Sequence, residues 1–195
     1  MTLLHTSDWH LGRQLHNQSF LEEQRLVPYQ IVELAVEHPV DAVVVAGDIY
    51  DRAVPPAQAV NLLDEVLSRL VNQHNIPVLM IAGNHDSHSR LGFGASHMAS
   101  NGLYIEGPVT KTIEPVILGD LANGGAAFFL IPYTEPVTLK NIHPETTTDI
   151  SSHQEAMDFI LDKVRTYDTQ GLPKVVVSHC FIDGGEESES ERPLS

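Results

Sequence analysis

Three short stretches, Asp8-Trp9-His10, Gly47-Asp48-Ile49-Tyr50-Asp51 and Gly83-Asn84-His85-Asp86, place carboxylates, imidazoles and an amide just after apolar runs, and His179 stands alone after a fourth. Oxygen and nitrogen donors of this kind suit borderline transition metals such as Mn²⁺, Fe²⁺ or Zn²⁺. A shared carboxylate, best placed at Asp48, can bridge two cations about 3.5–4 Å apart, and such a pair binds a phosphodiester, activates a water and stabilises the leaving oxygen. His85 can then protonate the leaving alkoxide, with Asp86 behind it to orient the ring. Each stretch has a plainer reading when taken singly. A bare D-x-H is more often a capping aspartate beside a surface histidine, G-D is a common turn, and a strand-end histidine is more often structural. The repetition at four strand ends carries the chemical reading.

The elements that must position these residues follow from hydropathy. Ala42–Val45 is apolar without a break, as in a strand buried on both faces. Thr2–Thr6, Ile76–Ile81 and Lys174–Ser178 read as further strands, and open α/β sheets place ligands beyond the C-terminal ends of their strands. If extended geometry persists past Thr6, Asp8 and His10 face the same way and can grip one cation. Ser19-x-x-Glu22 predicts a capping box opening a helix to about His38, with Phe20, Val27, Ile31 and Leu34 as its core stripe. Pro28 predicts a kink or the true start of that helix. Leu62, Leu63, Val66, Leu67 and Leu70 predict a second helix after Pro55-Pro56. Ser152-x-x-Glu155 predicts a third, with Gly171 as its stop.

The segment between carries short strand candidates at Leu103–Ile105, Val109–Ile113, Val116–Leu118 and Ala126–Ile131, with a hairpin turn over Asp120–Gly125. It predicts a mixed or antiparallel second sheet. Tyr133–Asp149 reads as a Pro- and Thr-rich loop with His143 solvated, and Cys180 as a small buried residue.

Composition limits the partners. With 11 Lys+Arg against 26 Asp+Glu, the formal charge is −15. That argues against tight unaided binding to nucleic acid, which needs basic residues to displace counterions. It suits a protein that holds cations. One cysteine excludes an intramolecular disulfide. The absence of a long apolar run and of a basic, apolar leader predicts a soluble cytoplasmic protein.

D-x-H, G-D-x-x-D, G-N-H-D and a strand-end histidine together resemble the calcineurin-like metallophosphoesterases. The opening His5-Thr-Ser-Asp-Trp-His-Leu-Gly12, with AGDIYD and AGNHDS, is similar more narrowly to the SbcD-type bacterial exonuclease subunits. The resemblance runs through the whole chain. It implies a four-layer α/β/β/α sandwich, two Mn²⁺ ions, and 3′→5′ exonuclease and endonuclease action on DNA ends and hairpins. It also implies partnership with an SbcC-type ATPase in DNA repair, replication and recombination, and a homodimer of the complete protein. By motif, Asp8 and His10 would hold the first metal, Asp48 would bridge, Asn84 and His179 would hold the second, and His85 would be the acid.

The family's further G-H-x-H motif, which supplies one histidine to each metal, does not occur before Ser195. The expectation is therefore one phosphoesterase domain over residues 1–195, incomplete at its C-terminus and weakly active or inactive, with an acidic loop or tail over 184–195. Two alternatives stand beside the nuclease. Gly47-Asp48-Ile49-Tyr50-Asp51-Arg52 is similar to the G-D-x-x-D-R of protein phosphatases, although Ala53 replaces the glycine that follows there, so a small or protein phosphoester is one. A non-catalytic dimerisation module is the other.

Overall fold

In the computed structural model, which describes residues 1–16 and 18–182, the chain opens with β1 (Leu3–Thr6) and a short hairpin, β2 (Gln14–Leu15) and β3 (Gln18–Ser19). Helices α1 (Leu21–Gln24) and α2 (Leu26–Glu37) lead to β4 (Ala42–Ala46), α3 (Ala57–Ser68) and β5 (Val78–Ile81). Two single-turn helices, α4 (His88–Leu91) and α5 (Ala95–Met98), precede β6 (Leu103–Glu106). Then come β7 (Val116–Leu118), β8 (Ala126–Ile131), α6 (Pro136–Ile142), α7 (His153–Thr166) and β9 (Lys174–Ser178).

Strands β1, β4, β5 and β6 form one parallel sheet in that order, and β7, β8 and β9 form a second, mixed sheet. Side chains alternate across a strand, so each central strand feeds two cores. Val43 and Val45 of β4, with Val78 and Met80 of β5, pack with the apolar faces of α2 and α3. Ala42, Val44, Ala46, Leu79 and Ile81 instead meet Phe128, Leu130 and Val177 of the second sheet. The opposite face of β8, Ala127, Phe129 and Ile131, packs with Leu139 of α6 and with Ala156, Ile160 and Val164 of α7. The layers are therefore helix, sheet, sheet, helix, the expected α/β/β/α sandwich. Phe128 and Phe129 lie on opposite faces of β8 and are both fully buried; each contributes roughly 1.5–3 kcal/mol.

Several local expectations need correction. The inner face of α2 is Pro28, Ile31, Val32 and Ala35, while Val27 and Leu34 are exposed and Phe20 precedes α1. Pro28 lies in the first turn, where its missing N–H costs nothing, so it marks the true start of α2 and turns the 28/31/32/35 stripe inward. Ser19 forms no capping box; its Oγ accepts from Leu21 N at 3.3 Å. The Ser152 box does close, and hydrogen bonds from Ser151 and Ser152 hold the Glu155 carboxyl at about 2. Gly171 lies beyond the end of α7, which stops at Thr166.

Val109–Ile113 is not a strand, and α6 lies inside the expected loop, opened by Pro136 in its first turn. His143, at the end of α6, is buried with its ring 5.3 Å from that of Phe159, and burial pushes its pKa down. Cys180 is exposed, because the chain leaves the sheet before it. The acidic stretch 184–195 lies outside the described residues.

Candidate metal centre

Register brings the strand ends to one level. Thr6 pairs with Val45, and Ala46 pairs with Ile81. Past those ends the backbone keeps bonding in parallel fashion: Asp8 N donates to Gly47 O at 3.1 Å, His10 N to Asp48 O at 3.0 Å, and Leu11 N to Ile49 O at 2.9 Å. The geometry is not the expected extended one. Asp8, His10 and Asp48 have φ of 57°, 44° and 50°, the left-handed region, where non-glycine residues cost about 1–3 kcal/mol each. The interstrand bonds offset that strain. Gln24 adds a clip: its Nε2 donates to His10 O at 2.7 Å, and its Oε1 accepts from Gly12 N at 2.9 Å.

Two glycines are required by close approach. A Cβ at Gly47, whose φ is +93°, would run into the His179 ring, and one at Gly83 would run into the Asp48 backbone and carboxylate. The G-D and G-N-H-D spacings thus reflect packing of the site against itself.

Asp48 is at the middle and is nearly inaccessible, at 3 % exposed. Its Oδ2 lies 3.7 Å from His10 Nε2, 3.7 Å from His179 Nε2 and 4.0 Å from His85 Nε2. Its Oδ1 accepts from His85 N at 2.9 Å. Asp8 Oδ1 is also 3.7 Å from His10 Nε2, and Asn84 Oδ1 is 3.1 Å from His179 Nε2. The structure therefore brings Asp8, His10, Asp48, Asn84, His85 and His179 together from the ends of β1, β4, β5 and β9. His10 and His85 also touch edge to face, with ring centroids 4.8 Å apart.

The histidines are oriented from behind. His179 Nδ1 is 2.8 Å from Ala46 O, and His85 Nδ1 is 2.9 Å from Asp51 O. A carbonyl only accepts, so both Nδ1 atoms carry hydrogen and both Nε2 atoms turn toward Asp48. Asp86 has a different task from the one its position suggests. Its carboxylate accepts from Ile49 N (3.1 Å), Tyr50 N (2.9 Å) and Gly83 N (2.9 Å), and so ties the loop after β4 to the loop after β5. Backbone Asp51, and not Asp86, meets the His85 ring. Burial pushes the Asp86 carboxyl up, against the three N–H bonds that lower it. Burial, with Asp86 nearby, also raises the Tyr50 phenol.

The donor set fits cations. With Nδ1–H bonded to Ala46, His179 turns Nε2 toward the Asn84 oxygen and Asp48 Oδ2, three donor atoms of the kind a cation takes. His10 Nδ1 is buried without a partner, its nearest carboxylate oxygen being Asp51 Oδ1 at 4.0 Å. Ligand atoms bound at about 2.0–2.2 Å to one ion stand roughly 3–4 Å from each other, which is the spacing around Asp48 Oδ2. In two acidic and imidazole groups, Asp8/His10/Asp48 and His10/Asp51/His85, the ligand atoms all lie within 4.8 Å of one another. Sequence reading missed Asp51 as a neighbour of both rings and Gln24 as the loop clip. Asp51 at least carried a signal, since it shares the G-D-x-x-D stretch; Gln24 carried none.

Among the described residues no helix is long and apolar enough to cross a membrane. A family model described as calcineurin-like phosphoesterase matches residues 1–193.

Proposed function

This chain belongs to the calcineurin-like phosphoesterase family, a family of metal-dependent phosphoester hydrolases, and on that premise we propose that it is a Mn²⁺-dependent DNA nuclease subunit. It acts as a 3′→5′ exonuclease and endonuclease on double-stranded ends and hairpins, in the cytoplasm, with an SbcC-type ATPase. The observation that carries the hydrolytic reading is Asp48 Oδ2, with the Nε2 atoms of His10, His179 and His85 turned toward it at 3.7, 3.7 and 4.0 Å. The opening His5–Gly12 and its similarity to SbcD-type subunits support the choice of DNA.

In this reading Asp8 and His10 would hold one divalent ion and Asn84 and His179 another, with Asp48 shared between them. Such ions would supply charge neutralisation, an acidified water and stabilisation of the departing oxygen. The chain's own residues do the rest. Asp51 O fixes the His85 ring through Nδ1–H, so as general acid His85 would act from the imidazolium form, giving its Nε2 proton to the leaving alkoxide on the face toward Asp48 and ending as the neutral Nδ1–H ring. Asp86 keeps the β4 and β5 loops in register, which holds His85 and Asp48 at their separation. Leu26, Val27 and Leu34 are exposed on α2, which supports a homodimer.

The test is turnover of linear double-stranded DNA, of a hairpin and of p-nitrophenyl phosphate by the same preparation with Mn²⁺. Cleavage of the DNA substrates in preference to the monoester supports the nuclease. Turnover of the monoester alone would assign the site to small or protein phosphoesters.

A further inference from the structure

A phosphoester has a phosphate and an organic group, and the wall beside the metal centre selects the second. On the His179 side that wall is aromatic. Tyr133, His153 and Phe181 line a cleft together with His179 itself. Tyr133 and His153 have ring centroids 5.4 Å apart, and Phe181 stands 6.4 Å from each at 86° and 76°. Phe181 stands roughly perpendicular to both neighbours and, among the described residues, is 50 % exposed, so part of its ring surface is accessible. Tyr133 is tied to the centre through its backbone, its N donating to Ala82 O at 2.9 Å, two residues before Asn84.

Charge narrows the ligand further. With a formal charge of −15 the chain offers little general attraction for a phosphate backbone, which gives weight to uncharged surfaces as contacts beyond the ions. Rings stack on any base through its π-face, without sequence preference. A base inside a duplex already has neighbours on both faces, so an open ring face takes only a base that has left the stack.

We infer that Phe181, with Tyr133 and His153, forms a stacking subsite for an unpaired nucleobase next to the phosphate held at Asp48. The inference rests on the DNA reading above and adds to it that the substrate presented to the centre is single-stranded: a frayed end, a hairpin loop or a melted tip.

The test is a binding titration of the chain, with Mn²⁺, against a short phosphorothioate single strand carrying 2-aminopurine, and against the same strand with an abasic residue at that position. Stacking predicts quenched 2-aminopurine fluorescence for the first strand. Phe181→Ala should weaken its binding about 5–150-fold, the change expected for losing one base–ring stack, and abolish the quench. Phe181→Trp should restore both, and the abasic strand should bind alike to all three proteins. Phe181 is on the surface after β9, so the variants should keep the wild-type melting temperature. Unchanged affinity and quench in Phe181→Ala, or equal binding of the two strands to the wild type, would overturn the stacking subsite while leaving the nuclease. Failure of the wild type to bind either strand while it turns over p-nitrophenyl phosphate would overturn the nuclease reading, and the subsite with it.

Discussion

The two arms of the site are built differently. The Asp48 arm follows β4, a strand buried along its whole length and bonded to β1 on one side and β5 on the other. Its loops are cross-tied by Asp86, Gln24 and three interstrand backbone bonds. The His179 arm follows β9, which among the described residues has a neighbour on one side only and leaves Val176 at 40 % exposed. His179 is held by one hydrogen bond from behind and by contact with Gly47. Local stability differs across a fold with just this kind of contact density. The Asp48 side is therefore the more firmly held and the His179 side, where the aromatic wall also lies, the more adaptable.

The largest effect that would sharpen this contrast is chemical. His85→Ala should lower the cleavage rate by about 10²–10⁴-fold, the usual contribution of a general acid, while Mn²⁺ stoichiometry stays the same. Loss of an ion in this variant, with activity recovered by excess Mn²⁺, would make His85 a ligand of the rigid arm.

Next in size is a stability comparison. Asp86→Ala strands three buried N–H groups, at about 1–3 kcal/mol for each unsatisfied donor, and should cost about 3 kcal/mol or more in urea unfolding. His179→Ala removes the contacts to Ala46 O and Asn84 Oδ1 at the partly exposed, looser arm and should cost about 1–2 kcal/mol, less than Asp86→Ala. Equal losses would erase the distinction between the arms.

These two residues also show what the sequence made legible. The parallel strands were readable because burial on both faces leaves an unbroken apolar run, as at Ala42–Val45. Ligand residues were readable because they sit at the ends of such runs. Asp86 was readable as important but not for its task, since neighbours in a tight turn point different ways and its partners lie 36 and 37 residues back at Tyr50 and Ile49. The face of α2 was misjudged because Val27, Ile31 and Leu34 have helical spacing as good as that of Pro28, Ile31, Val32 and Ala35; only packing against the sheet chooses between them. α6 was hidden by its Pro and Thr content, although a proline at a helix start is as good a sign of helix as of loop.

A smaller, pH-dependent effect belongs to the outer edge of the rigid sheet. Glu106 ends β6, opposite Ile81, and burial pushes its carboxyl up to about 7. The native state then keeps a proton, between the ordinary carboxylate range and about pH 7, that the unfolded chain has released. Stability should fall as pH rises through that window and stay low above it. Glu106→Gln should remove this slope and be more stable than wild type by about 1–3 kcal/mol at pH 8, with no advantage at pH 4. Parallel pH profiles of melting temperature in the two proteins would show that Glu106 does not titrate in this way.

The shared carboxylate is the centre of the account, and calorimetric titration with Mn²⁺ tests it most directly. The wild-type chain should bind two ions. His10→Ala should weaken mainly one of them, and Asp48→Asn should weaken both together. Two ions bound to Asp48→Asn with unchanged affinity would contradict the bridging role of Asp48.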